Sequence, residues 1–210
     1  MLFRSIVDPN TGLPSIGSNL VILGNATPKD LVGITASLTY KAFTLTTTAD
    51  YRGGYKTYNN IGQYMAFTGI SSYTTQTARQ RFIFPNSVID AGNGKYVPNT
   101  NVEVNDANFN LWPGLFNQVA SPWVESAAFW KVREVAISYQ LPVQDFFGGQ
   151  KLVKAATLTL SARNLFMFRP KTNQWTDPEF SEDTSNAIGE NSYNQAPPTR
   201  IWGANLNVTF

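Results

Sequence analysis

Ile34-Thr35-Ala36-Ser37-Leu38-Thr39-Tyr40 alternates apolar and polar residues without a break. A period of two puts Ile34, Ala36, Leu38 and Tyr40 on one face of a strand, and Thr35, Ser37 and Thr39 on the other. After Lys41-Ala42 the alternation restarts. Phe43, Leu45, Thr47, Ala49 and Tyr51 oppose Thr44, Thr46, Thr48, Asp50 and Arg52. Two such runs separated by two residues predict a β-hairpin, although Lys41-Ala42 is not the Asn-Gly pair that favours the tightest turns.

Three more runs follow the same rule. Between Phe129 and Leu141, Val135, Ile137, Tyr139 and Leu141 oppose Glu134, Ala136, Ser138 and Gln140. The first half, Trp130-Lys131-Val132-Arg133, has the opposite parity, so a β-bulge is expected near Arg133-Glu134, and Pro142 ends the run. From Ala155 to about Phe166, Leu158, Leu160 and Ala162 oppose Thr157, Thr159, Ser161 and Arg163. From Thr199 to Phe210, Trp202, Ala204, Leu206, Val208 and Phe210 oppose Gly203, Asn205, Asn207 and Thr209. If the third and fourth runs are neighbours, Glu134 and Arg163 are placed for a cross-strand ion pair.

Each run is about 7–13 residues, bracketing the roughly 9–11 that a tilted strand needs to cross a bilayer. Aromatics gather near the ends of the apolar faces, where interfacial Tyr and Trp belong. The opposite faces carry Thr, Ser and Asn, which suits a watery lumen. The connections alternate in length: Lys41-Ala42, then Gly53–Ala128, then Pro142–Lys154, then Met167–Pro198. Short periplasmic turns and long outer loops make the same rhythm in outer-membrane barrels. Alternating strands also build soluble sandwiches, whose apolar face is core, so periodicity leaves two architectures open. One is an all-β set of about five antiparallel transmembrane barrel strands with two long extracellular loops. The other is a soluble or surface-attached β-sandwich that binds carbohydrate.

Composition narrows the chemistry. The chain has 210 residues, of which 14% are charged and 13% aromatic, with a formal net charge of +2. Neutral polar groups replace the missing charge: there are 21 Thr and 20 Asn. There is no His and no Cys, which removes an imidazole base, a Ser-His-Asp triad, thiolate chemistry and the usual transition-metal ligands. Nothing places two carboxylates together for glycoside cleavage. No enzyme, metal or cofactor is expected, and the small, dispersed charge argues against a nucleic-acid partner. Asp177, Glu179, Glu182, Asp183 and Glu190 do not fit an EF-hand spacing and are expected to form a solvated acidic loop. No apolar stretch approaches the roughly 20 residues of a spanning helix, and the first ten residues lack the apolar core of a secretory signal.

Several motifs occur in a familiar order. Gly24-Asn25-Ala26-Thr27-Pro28 and Tyr51-Arg52-Gly53-Gly54-Tyr55-Lys56-Thr57-Tyr58-Asn59 flank the hairpin, and Arg81-Phe82-Ile83-Phe84-Pro85 lies in the loop after it. Phe129-Trp130-Lys131-Val132-Arg133-Glu134 opens the third run, which closes on Ser138-Tyr139-Gln140-Leu141-Pro142. Leu160-Ser161-Ala162-Arg163-Asn164-Leu165-Phe166, Asp177-Pro178-Glu179 and Pro197-Pro198-Thr199-Arg200 follow. This series resembles the C-terminal part of SusC/RagA-family TonB-linked outer-membrane proteins, with Ala162 where that family's strand usually has Gly. The resemblance covers 24–210 and leaves 1–23 unassigned.

That resemblance implies an outer-membrane location and import of glycans or peptides, energised through TonB. It also implies a SusD-like lipoprotein partner on the outside and a plug domain, absent from these residues. The chain is therefore expected to be a C-terminal piece, a split gene product or a truncated reading frame, not competent alone. The last run is similar to the signal read by the barrel-assembly machinery, with Trp202, Leu206, Val208 and Phe210 facing the outer-membrane lipid. Tyr55, Tyr58, Trp112, Trp123 and Trp175 are candidate loop contacts to substrate or lid, or else they pack the long loops into an ordered cap. Tyr64, Tyr73 and Tyr193 belong to the same set.

Overall fold

A computed structural model of the chain describes residues 4–77, 79–143, 153–173, 177–179, 188–191, 196 and 198–210. The strands are β1 (Ser5–Val7), β2 (Asp30–Tyr40), β3 (Phe43–Gly53), β4 (Lys56–Asn59), β5 (Phe82–Ile83), β6 (Ser87–Asp90), β7 (Tyr96–Pro98), β8 (Glu103–Val104), β9 (Val124–Ser126), β10 (Phe129–Leu141), β11 (Ala155–Phe168), β12 (Glu190–Asn191) and β13 (Ile201–Thr209). An α-helix, α1, spans Asn60–Phe67.

The chain divides into two compact units. One comprises Asn25–Lys56, Ser126–Phe180 and Gln195–Phe210. Its five long strands form one sheet in the order β13-β11-β10-β3-β2, with every neighbouring pair antiparallel. All five runs read from the sequence are therefore strands of one sheet. β2 begins at Asp30, earlier than its clean alternation, because Asp30–Gly33 stay paired with Asp50–Gly53. In the hairpin turn Lys41 has φ 54°, the positive φ that primed hairpin turns need at their first position.

The expected bulge is present. Register shifts between Val132 and Glu134 against both neighbours of β10, leaving Arg133 as the extra residue against β3. On β11 the irregularity includes Asn164 at φ 55°. Asn tolerates the left-handed region better than most residues, and its side-chain Nδ2 donates to Thr199 O at 3.1 Å. Glu134 and Arg163 meet across the strands at 3.0 Å.

The other unit comprises Met1–Gly24, Thr57–Glu125 and Ser181–Asn194. The sequence leaves most of it as loop or unassigned, yet it has its own core of Ala66, Val104, Ala107, Leu111, Trp112 and Trp123. Each bulky side chain buried in such a core contributes about 1.5–3 kcal/mol. Asn59 caps α1 by accepting from Gly62 N at 3.0 Å, a standard role for an N-terminal Asn. Ala107–Leu115 forms a π-helix containing Pro113, and Phe116 N donates to Leu111 O, five residues back. Part of the unassigned start is tied in: β1 pairs parallel with β6. Gly12 (φ 69°) lies so close to Glu103 that a Cβ would sit 2.6 Å from its carbonyl oxygen. Only glycine fits there.

Candidate functional site

The five-stranded sheet exposes its apolar face. Leu38, Ile137, Leu160, Leu206 and Trp202 are 48–73% exposed, values that a sandwich would bring near zero by covering them with a second sheet. Paired rows run straight across this face: Leu38, Leu45, Ile137, Leu160, Ala204 in one, and Tyr40, Phe43, Tyr139, Leu158, Leu206 in another.

Aromatic rings cluster at both ends of this face. At one end Phe43 stacks on Tyr139 at 4.5 Å, beside Tyr40; at the other Tyr51 lies 5.1 Å from Trp130, which is paired with Phe168. Phe43 and Tyr51 are eight residues apart on one strand, about 26 Å at the usual rise. Outer-membrane barrels carry an apolar band about 25 Å tall between two aromatic girdles.

Trp202 and Phe210 fit the same bands once the strands are tilted. Trp202 shares a row with Ala162, Val135 and Thr47, four residues short of Tyr51 on β3. Phe210 lies four residues beyond Leu206, which shares the row of Phe43. β13 is three strand steps from β3. Four residues along the strand against three steps across correspond to about 13 Å over about 14 Å, a tilt of roughly 40°. Membrane barrels tilt by about 35–45°. Both ends of β13 give the same offset.

The opposite face is polar. Hydroxyl pairs line it: Thr35 with Thr48, Ser37 with Thr46, Thr39 with Thr44 and Ser138 with Thr159, at 2.9–3.4 Å. At the Tyr51–Trp130 end it carries a charged clasp. Arg133 grips Asp50 through Nε and through Nη2 at 2.6 Å, and its Nη2 also donates to Glu179 Oε1 at 2.6 Å. Lys131 Nζ donates to Asp177 at 2.7 Å and to Glu179 at 2.9 Å, and Arg52 reaches Glu179 at 3.0 Å. Three cations thus balance three carboxylates. Forked guanidinium–carboxylate contacts of this kind are the strong ones. Both guanidiniums also sit 5.9 Å from the ring of Phe129, which is buried, within cation–π range.

Burial alone would raise the Glu179 carboxyl, but hydrogen bonds from Arg133 and Lys131 outweigh it and bring the group down to about 2. Burial pushes the nearby Tyr55 phenol up to about 12, so it stays neutral.

This clasp corrects one expectation. Asp177 and Glu179 are not part of a solvated acidic loop: their side chains are 2% and 21% exposed, and both are ion-paired. Glu190 accepts from Asn60 Nδ2 at 3.1 Å; Glu182 and Asp183 lie outside the described residues. The candidate aromatics are mostly interior. Tyr55 packs with Ala127 and Phe129, and Trp112 and Trp123 are core residues of their unit. Tyr58 is half-buried against that core, with its hydroxyl on Gln63. Tyr55, Trp112 and Trp123 are thus buried in packing contacts, and Tyr58 is partly so. Tyr64 and Tyr73 are exposed, and Trp175 and Tyr193 lie outside the described residues. On β13, Trp202, Leu206 and Val208 pair with Ala162, Leu158 and Ala156 on the apolar face. Phe210 follows the strand end, and its backbone oxygen accepts from Lys154 Nζ at 2.9 Å.

Sequence reasoning missed the clasp as a unit. Its signal was present as four charges, Asp50, Arg52, Lys131 and Arg133, on polar-face positions at the same end of neighbouring runs.

No family profile matches the chain, and no curated protein matches it by sequence. Solved structures do. The RagAB peptide importer in its closed-closed state superposes with a TM-score of 0.64 at 20% identity, over 94% of this chain and 19% of that one. The same importer in its open-open state gives 0.56 at 18% identity, over 88% and 17%. The RagAB peptide transporter gives 0.57 at 18% identity, over 99% and 22%. At these identities the likeness is one of fold, and the chain spans about a fifth of the length of those chains. The fold is all-β, with antiparallel sheets that match part of a β-barrel transporter.

Proposed function

We propose that the five long strands are a wall segment of an outer-membrane β-barrel importer of the SusC/RagA type. The carrying observation is the pair of aromatic bands about 26 Å apart on an exposed apolar face. In hydrocarbon every backbone group needs a partner, so such strands persist only within a closed barrel. The smallest membrane barrels have about eight strands, so five cannot transport alone.

The remaining assignments rest on this reading and on the likeness to RagAB. The substrate is a peptide or a glycan. Energy comes through TonB, by way of regions outside these residues. A SusD-like lipoprotein closes the outer mouth, and the barrel-assembly machinery reads the strand ending at Phe210. The clasp at the Tyr51–Trp130 end holds the Asp177-Pro178-Glu179 segment against the lumen side of the wall.

Depth-resolved fluorescence tests the proposal. Single-Trp variants retaining Trp130 or Trp202, joined to designed strands that complete a closed barrel, are reconstituted in vesicles whose lipids carry bromine at defined depths. Both rings should be quenched most strongly by bromine near the headgroups. A chain that stays a monomer in water without detergent, with Trp202 untouched by any brominated lipid, would rule the membrane reading out in favour of the carbohydrate-binding sandwich.

A further inference from the structure

The apolar side of the long sheet is not smooth. A groove of about 550 Å³ lies over β10, β11 and β13, lined by Val135, Ile137, Leu160, Ala162, Trp202 and Ala204. Ala162 stands between Trp202 and Val135 in one row, and Ala204 ends the next row beside Leu160 and Ile137. The two small side chains leave a slot between larger ones.

Opposite charges mark the two corners of this side at the Tyr51–Trp130 end. Alternation carried back from β13 puts Arg200 on the side of Trp202. Two residues beyond Trp202 is about 7 Å along the strand, or about 5 Å of height at a tilt near 40°. A bilayer with about 30 Å of hydrocarbon measures about 40–45 Å with its headgroups. A guanidinium about 5 Å outside an interfacial Trp therefore lies in the headgroup layer. Arg200 is exposed and forms no ion pair among the described residues. Thr199 O, just ahead of it, is held by Asn164 Nδ2 at 3.1 Å. Arg163, level with Ile201 on the polar side, is engaged by Glu134. At the other corner Asp30 opens β2, two residues beyond Val32, which is level with Tyr51.

We propose that the corner at β13 is a binding site for an anionic, phosphate-bearing lipid. One acyl chain lies in the groove and passes Trp202, and the phosphate rests on Arg200. A guanidinium can give a phosphate two parallel N–H bonds, while the groove offers a chain contacts that a flat wall lacks. A free phosphate ion would leave the groove empty, so the ligand is a lipid. The Asp30 corner has the same geometry with the charge reversed, and it repels the same headgroup. The site rests on the membrane reading above and adds a preferred lipid to it.

The test uses the full chain joined to designed strands that complete a barrel, with Trp202 as its single Trp. Vesicles contain equal amounts of phosphatidylglycerol and phosphatidylcholine, and bromine is carried high in the chains of one lipid or the other. Quenching of Trp202 should favour brominated phosphatidylglycerol by about fivefold, the effect of one arginine near an anionic surface. Arg200→Gln should abolish the preference, and Ala204→Leu, which fills part of the groove, should weaken it. A companion protein with Val32→Trp as its single Trp should show no preference for the anionic lipid. Equal quenching of Trp202 by both lipids overturns the site and leaves the membrane reading standing. So does a preference that either variant leaves untouched, or one that Val32→Trp shares. Quenching of Trp202 by neither lipid overturns the membrane reading and the site together.

Discussion

The two compact units differ in what they expose. The unit built around α1 and the π-helix hides Val104, Leu111 and Trp123, as a fold in water does. The long sheet exposes leucines and aromatics, while Lys131 and Asp177 are nearly inaccessible. Identical physics produces both arrangements when the surroundings differ. Apolar area goes wherever water is not: a core in one unit and, on the proposed function, lipid in the other. Charges of the sheet unit are covered only where each meets an opposite charge.

The largest expected effect attacks that covered charge. Lys131→Met removes a cation from between the buried Asp177 and Glu179, and breaking a buried pair costs about 3–5 kcal/mol. Adding Asp177→Leu should recover most of the loss, as chemical unfolding from vesicles would show. Next come substitutions that contrast the two surroundings. Leu111→Ala in the water-type core should cost about 2–5 kcal/mol. Val135→Arg, near the middle of the apolar face, should cost about 2–4 kcal/mol in a bilayer. Thr46→Arg on the hydroxyl-lined face should stay within about 0.5 kcal/mol. Equal costs for the two arginines would erase the distinction between the faces.

Acid sharpens the contrast further. Glu179 falls from an ordinary value of 4.5 to about 2 in the fold, so the folded state binds this proton less readily than the unfolded chain. Its stabilising contribution is complete above pH about 4.5 and disappears as pH falls towards about 2. Protease cutting near residues 177–179 should therefore rise across that window in the wild type, and Glu179→Gln should flatten the response. The smallest effect belongs to Arg163 and Glu134. Arg163 is largely exposed and Glu134 partly so, so a double-mutant cycle should give about 0.2–1 kcal/mol, shrinking with salt.

Legibility in the sequence followed the same division. Period-two alternation identified all five long strands, the Arg133 bulge and the Glu134–Arg163 pair, because one residue's direction dictates the next along a strand. The other unit has no such rule. Its strands are two to four residues long, its core comes from positions distant in sequence, and a π-helix containing a proline has no periodic signature. Trp112 and Trp123 could thus be placed among aromatics but not inside a core. Asp177 and Glu179 looked like solvated acids because their partners lie more than 40 residues away, on β10.

Arg133 is a spacer as much as a cation. Without one extra residue at that point, the half-strand before it would rotate by one position. Trp130 and Val132 would turn onto the polar face, while Lys131 and Phe129 would join the apolar one. Length there matters more than identity. Many side chains could stand at position 133 at the cost of loosening the clasp, but deleting the position would turn half of β10 inside out.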